Sequence, residues 1–321
     1  MKLAEKLHEL DRQEMRQAYA DALLEVMKQN PNVLALDCDL SSSVGTKALY
    51  KELPEQVFNC GIQESNACGM AAGLSSMGFV PFVHSFAVFT TRRIFDQIFL
   101  SCGYAGQNVK LIGGDAGVSA AFNGGTHMAF EDIGLMRLVP NAVVVEASDP
   151  VMMKQLVPQI AAHPGVVYLR MVRKDVVRVY DDDNTFTLGK AAVVREGKDV
   201  TVIACGIMVD EALKAAEQLA AEGIEARVVD MFTIKPIDRD CVIECAEKTG
   251  AIVTAENHNA TGGLGSAVAE VLAECAPVPM ERVGVFESFG EVGTQQELMN
   301  RFRLTADVIV EKVKKVITRK K

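Results

Sequence analysis

The chain has 321 residues, enough for two domains that each bury a core of their own. Hydrophobic residues make up 49% and charged residues 23%, a globular balance, and no apolar run is long enough to span a bilayer. The net charge of −9 is spread along the chain without a concentrated basic field, which argues against nucleic acid and against a membrane surface as partners.

The start, Met1-Lys2-Leu3-Ala4-Glu5-Lys6, mixes acids and bases without an apolar core, so it does not read as a secretory signal and the expected location is the cytoplasm. Asp11 and Glu14 are spaced as a capping box for a helix whose apolar face is Met15, Tyr19, Ala22, Leu23, Val26 and Met27. The spacing then predicts a strand at 33–36, a turn-rich segment at 37–46, a strand at 56–59 and a helix at 64–76. Strands at 80–83, 109–113, 142–145 and 166–169 alternate with helices at 92–101, 131–138 and 150–162. Short apolar strands separated by helices predict a parallel sheet covered on both faces.

The polar break Tyr180-Asp181-Asp182-Asp183-Asn184 marks a boundary, giving domains at 1–180 and 188–321. Beyond it a second α/β series runs through strands at 200–204, 226–229 and 251–255 and helices at 209–221, 241–248, 266–274 and 306–317. The two halves read as tandem, separate α/β layers. The basic end, Lys314-Lys315 and Arg319-Lys320-Lys321, reads as a solvated tail. Eight cysteines are scattered without a C-x-x-C pair. Cys241 and Cys245, four apart on a helix, have ligand spacing, although two core thiols are the simpler reading.

One stretch carries chemistry. In Asn59-Cys60-Gly61-Ile62-Gln63-Glu64 a strand ends, a glycine turns the backbone, and a carboxylate stands at a helix start. Sites in open α/β sheets gather at the carboxyl ends of strands. Taken alone, Glu64 could simply complement the helix dipole. Phe86 and Phe89, three apart, could share one face as a flat wall or belong to the core. His127 sits in the loop Asn123-Gly124-Gly125-Thr126-His127, where glycines let the backbone pass close to a ligand.

The whole order of motifs resembles the transketolase family over nearly all of the chain. Gly61 to Glu64, Gly69-Met70-Ala71-Ala72-Gly73-Leu74, Ser85-Phe86-Ala87-Val88-Phe89, the 123–127 loop and Glu131 to Arg137 are similar to its pyrimidine-binding domain. Asp230-Met231-Phe232-Thr233-Ile234-Lys235-Pro236, Glu256-Asn257-His258 and Gly262-Gly263-Leu264-Gly265 are similar to its C-terminal domain. The resemblance implies a thiamin diphosphate-binding fold followed by a transketolase C-terminal-like fold, and a ketol transferase. Glu64 would hydrogen-bond the cofactor's aminopyrimidine and favour the tautomer that removes the thiazolium proton. Phe86, Phe89 and Arg92, with Arg93 nearby, would line the pyrimidine pocket, and His127 would contact donor hydroxyls. Arg16, Ser43 and either Arg170 or Arg173, with Arg170 the first candidate, approximate positions that hold a terminal phosphate, and Asn123 would meet a sugar hydroxyl.

Two departures bear on the substrate. The family has aspartate where Asn123 stands and histidine where Gly114 precedes Asp115, so a non-pentose ketose is a live alternative. Gly114-Asp115-Ala116 with Asn141 imitates a magnesium motif but lacks its last glycine. The resemblance therefore places magnesium and the diphosphate on an N-terminal partner subunit, with this chain as a homodimer and sugar phosphates as substrates. The same layout suits the beta subunit of a 2-oxo-acid dehydrogenase or a 1-deoxyxylulose-phosphate synthase, and a non-catalytic scaffold is the rival of another class. Gly262-Gly263-Leu264-Gly265 imitates a dinucleotide-binding turn, but Val268 stands where its third glycine belongs, so it reads as structural.

Overall fold

The computed structural model describes residues 1–320. Among them the strands are β1 (Val33–Asp37), β2 (Val57–Asn59), β3 (Val80–Phe86), β4 (Lys110–Gly114), β5 (Val143–Glu146), β6 (Val167–Arg170), β7 (Ala192–Arg195), β8 (Val200–Ala204), β9 (Ala226–Asp230), β10 (Thr233–Lys235), β11 (Ile252–Asn259) and β12 (Met280–Val285). They form a seven-stranded sheet, in the order β10-β5-β6-β4-β3-β1-β2, and a five-stranded sheet, in the order β12-β11-β8-β9-β7. All pairings are parallel except those of β10 and β7, which run antiparallel. Every residue of β1, β4, β8 and β9 is buried, because helices cover both faces of each sheet.

The helices at Glu64–Ser76, Pro150–Ala162 and Ala306–Ile317 keep the bounds expected from their periodicity. The helix at Pro150 starts sharply because Asp149 accepts from the Met152 amide at 2.9 Å and proline fills the first turn. Two expectations change and two hold in part. Asp11 and Glu14 form no capping box: Glu14 stands at the N-cap without a side-chain cap bond, and Asp11 instead accepts from the Gln13 amide. The expected helix at 92–101 is a 3₁₀ turn (Arg92–Ile94), a short α turn and a π-helical segment (Ile98–Tyr104). The two tandem α/β domains stand as expected, each with its own sheet, but they are joined, since β10 leaves the second half and pairs with β5 of the first sheet. The basic end is exposed to solvent as expected, but it carries ion pairs: Lys314 with Glu222, and Lys315 and Arg319 with Glu281. Among the described residues no helix is long and apolar enough to cross a membrane.

Candidate active site

At the carboxyl ends of β2 and β3 the chain gathers a carboxylate and three rings. Gly61, at φ +71°, makes the turn after β2, and its amide donates to Asn59 Oδ1 at 2.8 Å. That turn starts the next helix on Glu64, whose residue is only 2% exposed. Its Oε1 accepts from Ser85 Oγ at 2.9 Å and its Oε2 from Arg93 Nη1 at 2.9 Å. A buried carboxylate needs such partners.

The Arg93 guanidinium also sits over Phe89, its central carbon 3.7 Å from the ring centre. Phe86 and Phe89 stand 6.2 Å apart, and the His127 ring meets them edge-on at 5.8 and 5.1 Å. Phe86 is buried while Phe89 and His127 are half-buried, so this nest of rings opens to solvent. Thr126 Oγ1 and His127 Nδ1 lie 2.8 Å apart, which fixes the ring's orientation. Glu64, Phe86, Phe89 and His127 are thus brought together from separate stretches of sequence.

Beside the nest lies a cluster of cations. Arg16 donates from Nε to Glu14 at 2.6 Å and from Nη1 to the Ser42 carbonyl at 2.9 Å, next to Ser43. The Arg16 amide donates to the Arg173 carbonyl at 3.1 Å, joining the two arginine-bearing segments. Arg173 Nε stands 3.1 Å from Oδ1 of buried Asp115, and Asn123 Nδ2 donates to Oδ2 of the same carboxyl at 3.1 Å. Burial pushes the Asp115 carboxyl up to about 6 against the pull of Arg173, Arg16 and Lys174.

Two expected residues lie elsewhere. Arg170 is fully buried, with Nε on Asp132 at 2.7 Å, Nη1 on Glu146 at 2.6 Å and Nη2 on the Ala129 and Asn257 carbonyls. Its donors are spent inside the protein, so it cannot hold a substrate anion. Arg173 is the arginine beside Arg16. Arg92 donates to Glu131 at 2.7 Å, and Arg93, its neighbour, is the one that reaches Glu64 and Phe89. Ser85, Asp115 and Lys174 complete the arrangement. The one advance signal for Ser85 is its place beside the Phe86–Phe89 wall.

The glycine turn at 262–265 carries its own anion. Glu256 accepts from the amides of Leu264 at 2.7 Å and Gly265 at 2.8 Å, the position a bound phosphate would take at a helix start. Burial pushes that carboxyl up to about 7 in spite of the two amides. The turn is structural. Among the described residues no group of three or more His, Cys, Asp or Glu side chains is placed to hold a metal ion.

Residues 11–177 match the transketolase pyrimidine-binding domain, and residues 189–309 match the transketolase C-terminal domain. The chain is 48% identical, over 95% of both lengths, to a 6-deoxy-6-sulfo-D-fructose transketolase subunit, SqwH, of Clostridium sp. (strain MSTE9). It is 37% identical to an apulose-4-phosphate transketolase subunit of Phocaeicola vulgatus, over 92% of this chain and 94% of that one. A solved split-gene transketolase described as an inactive beta4 tetramer superposes with a TM-score of 0.89 at 45% identity, over 96% of this chain and 99% of that one. With both domain families matched in order and the relatives spanned nearly end to end, the chain belongs to the transketolase family.

Proposed function

We propose that this chain is the C-terminal subunit of a two-chain transketolase, a transferase that moves a two-carbon ketol unit between sugars. The observation that carries this reading is the Arg93 guanidinium. It is a flat, N–H-donating cation that hydrogen-bonds Glu64 while lying on Phe89. A protonated aminopyrimidine makes the same two demands, so the residues present fit the pyrimidine end of thiamin diphosphate. Thiamin diphosphate, when bound, supplies the nucleophilic carbon for ketol transfer. Glu64 would then hold and return a proton at a ring nitrogen, Phe86 and Phe89 would fix the plane of the ring, and Arg93 would give up its place over Phe89. His127, edge-on to both rings, is placed to hold donor hydroxyls.

A partner subunit would supply the magnesium ion and the diphosphate ligands. Exposed apolar side chains at the site support this: Ile62, two residues before Glu64, is 73% exposed, and Phe122, next to Asn123, is 71% exposed. The relatives named as subunits point the same way. Their names also share a sugar bearing a tetrahedral anion, and Arg16, Ser43 and Arg173 form a cradle suited to one. The donor we expect is a ketose with a terminal sulfonate or phosphate, with 6-deoxy-6-sulfofructose the first to try.

The test is reconstitution. The chain is purified alone and with the N-terminal transketolase subunit of the same genome, with thiamin diphosphate and magnesium. Each preparation is assayed with sulfonated and phosphorylated ketoses and an aldose phosphate acceptor. Transfer is expected only from the pair. Robust transfer by the single chain rejects the two-chain reading, and a cofactor-loaded pair inert toward every donor rejects the transketolase assignment.

A further inference from the structure

Asp115 is an awkward residue to bury. It follows β4 at φ +55°, a left-handed backbone that is uncommon outside glycine but that aspartate tolerates better than most residues. Its side chain is shut off from solvent, and Oδ1 has no aligned hydrogen-bond donor among the described residues. Arg173 Nε, 3.1 Å away, is likewise without an aligned acceptor. A pair kept for stability alone would be better aligned, since an unsatisfied buried acceptor is destabilising. Burial outweighs the neighbouring cations and raises the carboxyl to about 6, so near neutral pH its ionised form is held at a cost to the fold.

The arginine cradle gives that cost a use. Arg16 hydrogen-bonds Glu14 through Nε, and Arg173 has its Nε 3.1 Å from Asp115 in an ion pair without an aligned hydrogen bond. A carboxylate beside Nε holds a guanidinium by charge and leaves its outer nitrogens free for another anion. Among the described residues neither Nη of Arg173 makes a hydrogen bond, and Arg16 uses only Nη1. Asp115 Oδ2 meanwhile accepts from Asn123, four residues before His127. One carboxyl thus grips both an arginine of the cradle and the loop that presents His127.

We infer that Asp115 is a positioning residue: it holds the Arg173 guanidinium where it receives the terminal anion of the donor ketose, and ties Asn123 to the same point. The inference rests on the proposed transketolase reading and deepens it. Arg16, Arg173 and Lys174 are the charged groups facing Asp115, and Asn123 its neutral partner.

The test uses Asp115→Asn, Arg173→Ala and the double variant in the reconstituted two-chain enzyme. Asp115→Asn should raise KM for a ketose with a terminal sulfonate or phosphate about tenfold with kcat within about twofold, because it acts on binding. KM for hydroxypyruvate, a donor without a sulfonate or phosphate, should stay put, because the amide introduced at 115 still accepts from Asn123 and keeps the His127 loop in place. The double variant should be no worse than Arg173→Ala alone. Because the ionised carboxyl strains the fold, Asp115→Asn should also melt higher than the native chain at pH 8. Equal losses on both kinds of donor, additive losses in the double variant, or a KM change below about twofold would each overturn the inference. The single chain gives an independent reading: inorganic phosphate should raise its melting temperature, and less so in either variant. Should the pair transfer nothing, the transketolase reading fails while this measurement still decides the role of Asp115, and equal phosphate shifts in native and variant chains would reject it.

Discussion

Glu64 and Arg93 set the chemistry at the scale of single residues. Arg93 is 44% exposed, so its attraction to Glu64 is screened by water and a competing ligand displaces it at modest cost. Glu64 is bound more firmly, by Ser85 from inside the fold. In Glu64→Gln the amide keeps the size and an acceptor for Ser85 but cannot exchange a proton. We expect kcat of the reconstituted enzyme to fall by about 10²–10⁴ while the melting temperature stays within a few degrees. Turnover near the native rate would remove Glu64 from the mechanism. Motif order made Glu64, Phe86, Phe89 and His127 legible, since each sits in a recognisable stretch. The choice between Arg92 and Arg93 was not legible. Their segment passes from a 3₁₀ turn to a π-helix, so no single helical phase says which side chain faces inward. Arg170 departs from expectation for another reason: it ends β6, which has strands on both sides, and a cation there must be paired within the protein.

Among elements, the turn into the helix at Leu264–Cys275 shows how tightly local geometry is set. A Cβ on Gly263 would stand 1.9 Å from Glu256 Oε2 and 2.6 Å from His258 Nδ1. Gly263→Ala must push the carboxylate off the Leu264 and Gly265 amides, breaking two bonds that cap the helix. We expect a loss of about 2–4 kcal/mol, from the crowding and the stranded donors together, read from the urea midpoint. A loss below about 0.5 kcal/mol would show that Glu256 does not bear on the helix start. The longer helices and buried strands were legible because their apolar period is strong. β7, β10 and β12 were not: each is an edge strand, partly exposed, without the continuous apolar run that marks the inner strands. The helix at Gln295–Arg301 carries a signal that the apolar period alone does not show: Thr294 and Glu297 form a full capping box there. The pair expected at Asp11 and Glu14 failed because Leu10 bridges to Val177 and Asp11 turns back on Gln13.

Over the whole molecule, the two sheets are locked by polar groups buried between them. Asn257, from β11, accepts from the Val118 amide and donates to the Ala116 carbonyl, so the second half braces the loop leading to Asn123 and His127. β10 completes the first sheet, and Tyr180, where the sequence marks a boundary, donates to Asp230 of β9 at 2.7 Å. The polar run after Tyr180 was readable as a boundary, but the seam was not, because its partners lie 50 or more residues apart. The seam predicts a pH dependence. Burial raises Asp230 to about 7, against the hydrogen bond from Tyr180 and with further upward pressure from Asp149 and Glu146. An unfolded aspartate titrates near its ordinary value of about 3.9. Between about 4 and 7 the native state therefore keeps a proton that the unfolded state has released, and stability falls as pH rises through that window. His258, which burial lowers to about 4, acts oppositely and adds stability as pH rises from about 4 to 6.5. Asp230→Asn isolates the first effect, because the amide still accepts from Tyr180 and carries no charge at any pH. Its stability advantage over the native chain should be about 1.5 kcal/mol near pH 5 and grow to at most about 4 kcal/mol by pH 8, the worth of a three-unit shift. Chemical denaturation of both chains across that range decides it. An advantage that does not grow with pH would mean that Asp230 is ionised in the folded seam at neutrality, with Tyr180 and its surroundings supplying more than burial takes away.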